Sequence, residues 1–151
     1  MTSMSSGLRE LRVWQESVTL GGDVIRAIRP ASRRETKAIS EAVMLTALSV
    51  GSHIADGFAR PTMAEQRESY LAAKRALLRL ETELAVARQV ELVPAGTFTE
   101  LCARTAQVTR LLTGYLVYLD RQLAEQESAS SSSSHASTTA SATRDSARVR
   151  A

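Results

Sequence analysis

Residues 62–91, TMAEQRESYLAAKRALLRLETELAVARQVE, decide the fold class. Tyr70, Ala73, Leu77, Leu80, Leu84 and Ala87 step along this stretch by three and four residues. That alternation keeps every member on one face of a helix with 3.6 residues per turn. Thr62 precedes Glu65 by three positions, the spacing of a capping box, in which a hydroxyl and a carboxylate each accept an exposed backbone N–H. The pattern predicts a helix from Met63 to Glu91, about 43 Å long at 1.5 Å per residue. Leu71 and Leu78, with Ala85 nearby, form a second apolar row on an adjacent face.

The same stepping recurs on both sides. Leu11, Trp14, Val18, Gly21, Ile25 and Ile28 predict a first helix, closed by Pro30. Ile39, Val43, Leu48, Val50, Ile54, Ala55 and Phe58 predict a second, opened by a Ser32/Glu35 capping box and interrupted at Gly51, where a kink or a local loosening is expected. After Pro94, a Thr97/Glu100 box opens a fourth, with Phe98, Leu101, Thr105, Val108, Leu112, Tyr115 and Leu119 on its apolar face. Leu111, Leu116 and Leu123 widen that face, and Glu100 and Arg104 have the spacing of an i, i+4 ion pair. Four amphipathic segments joined by short links imply an all-α, antiparallel up-down four-helix bundle. Its expected limits are 10–125, after a flexible N-terminus (1–9). Residues 126–151 are rich in Ser, Thr and Ala, bury almost nothing, and are expected to form a disordered tail.

The stripes on the third and fourth helices are wider than one seam requires. Such width serves either a thick core or contact with another subunit, and the pattern alone does not choose. Leu71, Leu78, Leu111 and Leu116 are the candidates for subunit contact.

Charge and chemistry narrow the function classes. The net charge is +3, yet residues 1–127 hold sixteen Lys/Arg against fifteen Asp/Glu, so only a local patch can grip phosphate. Arg60, Arg67, Lys74, Arg75 and Arg79 are the candidate nucleic-acid contacts, with a second basic cluster at Arg29, Arg33, Arg34 and Lys37. No aromatic side chains interleave with them, so base stacking has no support. The two histidines stand at 53 and 135, and Asp56 follows His53 by three residues. No Glu-x-x-His pair, phosphate-cradling glycine loop or nucleophile elbow is present. Catalytic, cofactor-binding and metal-binding residues are therefore expected to be none. Cys102 is the single cysteine, so no intramolecular disulfide can form. No apolar leader precedes Glu10, and no uninterrupted apolar run reaches the ~18 residues of a membrane span. The expectation is a cytoplasmic protein without a membrane partner.

Three short stretches carry a family resemblance. Leu11-Arg12-Val13-Trp14-Gln15 resembles the opening of the bacterial four-helix proteins encoded in intervening sequences of 23S ribosomal RNA genes. Ser49-Val50-Gly51-Ser52-His53-Ile54-Ala55-Asp56-Gly57-Phe58-Ala59-Arg60 resembles that family's signature, with Gly51 for a proline, His53 for an asparagine and Asp56 for a glutamate. Arg79-Leu80-Glu81-Thr82-Glu83-Leu84 is similar to a third stretch, and all three stand in family order. The resemblance implies an antiparallel bundle packed into a homopentamer, with Trp14, Ile54, Asp56, Gly57 and Glu81 as structural signature positions. The wide stripes fit a pentamer better than a monomer. The sequence is also similar to accessory proteins of diversity-generating retroelements, which implies nucleic acid and a reverse transcriptase as partners.

Overall fold

In the computed structural model the backbone is described for residues 4–146 and side chains for 6–134. Among these residues the protein is all-helical, with no strand. The helices are α1 (Met4–Glu10), α2 (Arg12–Ile28), α3 (Lys37–Ala59), α4 (Met63–Gln89) and α5 (Ala95–Ser146). Two 3-10 turns, Arg29–Ala31 and Arg34–Thr36, join α2 to α3. The chain divides into two compact units, Met1–Leu116 and Val117–Ala151.

The first unit holds the paired helices. α4 forms as the sequence predicts: Thr62 accepts from the Glu65 N–H at 3.3 Å, and Tyr70, Ala73, Leu77, Leu80, Leu84 and Ala87 are all buried. It ends in a tight C-terminal turn. The Leu92 N–H donates to the Ala87 carbonyl at 2.9 Å and the Glu91 N–H to Arg88 at 3.1 Å, which places Glu91 in the left-handed region at φ 60°. The three residues linking α3 to α4 fold the two helices back on each other.

α2 and α3 also run in opposite directions. A Cβ at Gly21 would lie 3.6 Å from the Ala47 carbonyl, and one at Gly51 would lie 3.2 Å from the Ser17 hydroxyl. As one helix advances from 17 to 21, its partner retreats from 51 to 47. α3 stays helical through Gly51, and the glycine gives Ser17 room on α2. α5 approaches α4 in the same opposed sense. The Tyr70 and Tyr115 rings meet edge to face at 5.0 Å, while Glu81 acts electrostatically on Cys102.

Several expectations are corrected. The α2 seam is Val13, Ser17, Leu20, Gly21, Val24 and Ile28, not the stripe through Trp14 and Val18. On α3, Ser40, Thr46, Ala47 and Gly57 join Val43, Val50 and Ile54 in the core, while Leu48 is exposed. Ser32 closes a 3-10 turn and α3 starts at Lys37, because Arg33 and Thr36 bond each other there. α5 starts at Ala95, which leaves Thr97 inside the helix with no capping role. Arg104 pairs with Asp23 on α2. The N-terminus is helical from Met4, with Gly7 close against the Phe58 ring. By length and composition Arg34–Ala59 is also apolar enough to cross a membrane, which a count of uninterrupted apolar residues misses.

In the second unit, Leu119 is buried, and Val117 and Tyr118 are half exposed. The Ser/Thr/Ala-rich segment has no buried side chain from 124 to 134, as its composition demands. Among the described residues its backbone is helical to Ser146, and the hydroxyls of Ser130 to Ser134 donate to carbonyls three residues back. Residues 147–151 of the expected tail lie outside the described residues.

Candidate interaction site

The turn from α3 to α4 gathers the best-defined polar cluster. Gly57 is buried under α4; a Cβ there would meet the Tyr70 ring at 3.0 Å and Ser69 Cβ at 3.1 Å. Only a glycine lets the helices close at this point. One residue earlier, Asp56 stands in the last turn of α3, where the helix dipole disfavours a carboxylate. Two partners compensate. The Ser69 hydroxyl donates to it at 2.9 Å from α4, and the Arg60 guanidinium donates at 3.1 and 3.3 Å. Together, Ser69 first, they hold the Asp56 carboxyl below its usual range. A shallow cleft of about 270 Å³ surrounds this cluster, lined also by His53, Glu65 and Glu68. The Ser69 hydroxyl donates directly to the carboxylate across the turn, an arrangement that fastens the hairpin. Among the described residues, no group of three or more His, Cys, Asp or Glu could hold a metal. Burial, followed by the charge of Glu81, pushes the Cys102 thiol up, away from thiolate reactivity.

The basic candidates divide. Arg60 is tied to Asp56, and Arg79 donates to Glu83 at 2.8 Å. At 100° per residue, Arg67, Leu71, Lys74, Arg75 and Leu78 fall together on the outward side of α4, opposite its buried row. Leu78 is 58% exposed and Leu71 half-buried, with Val86 further along at 45%. Two sets that the sequence kept apart, apolar contacts and basic contacts, thus share one face. The other two proposed contact residues do not join them: Leu111 is half-buried on α5, and Leu116 is only 6% exposed. Leu116 is a core residue, a correction to its assignment as a subunit contact. Arg29, Arg33 and Arg34 stay exposed between α2 and α3, and Arg33 lines a cavity of about 430 Å³ with Val90, Glu91 and Leu92.

Residues 9–114 match the sequence model of the 23S rRNA-intervening sequence protein family. The chain belongs to this family. No curated protein matches it.

The family match spans the hairpin cluster and the α4 face and stops short of the Ser-rich segment. Its signature positions have separate fates. Ile54 and Gly57 are core, and Asp56 closes the hairpin. Glu81 is half-buried, with its charge acting on Cys102, and Arg79 is paired with Glu83. Trp14 is half exposed and lines a groove of about 340 Å³ between α2 and α3, with Val18, Gly22, Leu48, Gly51 and Ala55. This family member therefore carries an apolar face absent from the sequence-based candidates. Val18 is 50% exposed, Leu45 65% and Leu48 59%. The signal was present in the sequence: residues 42–55 contain no Lys, Arg, Asp or Glu. A helix apolar on all sides is ordinarily covered on all sides.

Proposed function

We propose that this chain is an antiparallel up-down four-helix bundle, formed by α2 to α5, that works by assembling with copies of itself as a non-enzymatic scaffold. The exposed apolar surface carries the reading: Val18, Leu45 and Leu48 on one side and Leu78 on the other are large side chains left in water by a single chain. The opposed runs of α2 against α3 and of α4 against α5 support the up-down arrangement. A homopentamer is the assembly that the family resemblance implies, and the cytoplasm is its proposed place. Size-exclusion chromatography with light scattering at tens of micromolar tests it. A mass several times 16.4 kDa is expected; a 16.4 kDa species at every concentration overturns the reading.

A second reading has its own observation. From Ser69 to Leu80 α4 holds Lys74 and Arg75 on its outward face, with Arg79 paired to Glu83 beside them, and no acidic residue. Such a row suits a nucleic-acid backbone, and with it the accessory role beside a reverse transcriptase. Binding to RNA or DNA should then fall steeply with salt, and neutralising Lys74 and Arg75 should reduce the salt slope by about 2. An unchanged slope removes this patch from consideration.

A further inference from the structure

The Trp14 end of the α2–α3 groove is not bare. Leu48, Gly51, Ala55 and Phe58 step by three and four along α3, a stripe that continues the groove toward the end of that helix. α1 lies across this end. Leu8 lines the groove together with Trp14 and Ala55, and Gly7 rests on the Phe58 ring, where a Cβ would lie 3.0 Å from Cζ. Further along, Val18 and Leu48 are exposed. One apolar surface is thus covered at one end by the chain's own first helix and left in water at the other.

That cover is lightly fastened. α1 is seven residues long, too short to be stable as an isolated helix. From Ser6 to Glu10 it has no buried side chain. Leu11 separates it from α2 with an extended backbone (φ −74°, ψ 111°), so rotation at one residue swings α1 without unwinding α2. Besides the Gly7 and Leu8 contacts, the Gln15 side-chain amide holds it by donating to the Arg9 carbonyl.

We infer that α1 is a displaceable strap that competes with self-assembly for the Trp14 end of the α2–α3 face. Docked, it occupies part of the apolar surface that a neighbour would cover. Released, it frees the place of Leu8 beside Trp14 and uncovers Phe58, so the whole stripe from Leu48 to Phe58 becomes available. A strap closed about nine-tenths of the time weakens assembly about tenfold, because apparent affinity scales with the open fraction. Gly7 and Leu8 precede the residues that match the family, so the strap is not part of what that match describes. This inference rests on the self-assembly reading and adds its control.

The test opens the strap in the full-length chain by two routes. Leu8→Asp removes the apolar anchor, and Gly7→Val presses two methyl groups toward the Phe58 ring. Neither removes a buried side chain, so far-UV circular dichroism and the urea midpoint should match wild type. Trp14 is the single tryptophan and reports directly on the strap. Acrylamide should quench its fluorescence more efficiently in both variants than in wild type, at a concentration too low for assembly. In sedimentation velocity at rising concentration, both variants should assemble about three- to tenfold more tightly than wild type. Raised quenching with weaker assembly overturns the inference, because α1 is then part of the contact. Unchanged quenching overturns it as well, because α1 then does not cover Trp14. Assembly of all three chains with equal affinity defeats the strap alone; if all three stay monomeric at every concentration, self-assembly fails and the inference falls with it.

Discussion

Replacing Gly57 by alanine gives a quantitative check on the hairpin. The added Cβ would lie 3.0 and 3.1 Å from atoms of the Tyr70 ring and 3.1 Å from Ser69 Cβ. Neither neighbour yields easily. Ser69 Cβ is fixed to the α4 backbone, and the Tyr70 ring is fully buried edge-on to Tyr115. Overpacking of this kind costs about 1–3 kcal/mol. Alanine recovers up to about 1 kcal/mol of helix propensity, less near a helix end. The net expectation is a loss of about 1–2 kcal/mol, or roughly 4–8 °C in midpoint for a unit of this size. Gly21→Ala is the internal control. Its Cβ would sit at an ordinary 3.6 Å from the Ala47 carbonyl, so the propensity gain should show as unchanged or higher stability. Urea unfolding followed by circular dichroism, at one fixed protein concentration, measures both. Equal stability of the two variants would refute the claim that Gly57 is kept for space.

Glu91→Gly should raise stability by about 0.5–1 kcal/mol in the same assay, because glycine relieves the left-handed strain at φ 60° while adding some unfolded-state entropy. Ser40→Ala should also stabilise, by about 1 kcal/mol: the side chain is fully buried and its hydroxyl has no hydrogen-bond partner among the described residues. Asp56 has a lowered folded-state pKa, so its contribution is complete above the unfolded carboxylate value near 3.9 and is lost as pH falls through the folded value. Asp56→Asn should therefore flatten the acid limb of the stability profile below about pH 4; a limb identical to wild type would show that the Ser69 and Arg60 contacts contribute nothing in solution. Burial chiefly raises the Tyr70 pKa, so its neutral form is favoured in the fold and stability should decline above about pH 10, a decline that Tyr70→Phe should reduce in a thermal-melt series.

The sequence was most legible where one apolar row was isolated by polar neighbours. α4 shows this: its six predicted core residues are buried, and its cap forms at the predicted threonine. α2 carries two apolar rows about 100° apart, Val13-Leu20-Val24-Ile28 and Trp14-Val18-Ile25. Periodicity cannot rank two rows of equal period. The row with Trp14 has more surface to bury, yet the core takes the other. α2 approaches α3 through Ser17, Gly21 and Gly51, and a close helix–helix approach selects small side chains at the point of contact. That selection depends on both helices at once and is invisible in either alone. The same limit explains Gly51, which reads as a kink in α3 by itself and as a clearance for Ser17 once α2 is in place.

The site was legible in its parts and not in its grouping. Leu71 and Leu78 were marked for subunits, and Arg67, Lys74 and Arg75 for phosphate, because apolar and basic residues suggest different partners when taken by type. On the helix they share one face, which shows only when residues are placed by angle along α4 and not sorted by type. α3 is apolar on more than one side, and burial sorts its residues: Val43, Val50 and Ile54 are core, while Leu45 and Leu48 are left in water by a single chain. Asp56 was legible as a carboxylate in need of a partner at the end of its helix, and its bonds to Ser69 and Arg60 set α3 against α4 at the turn.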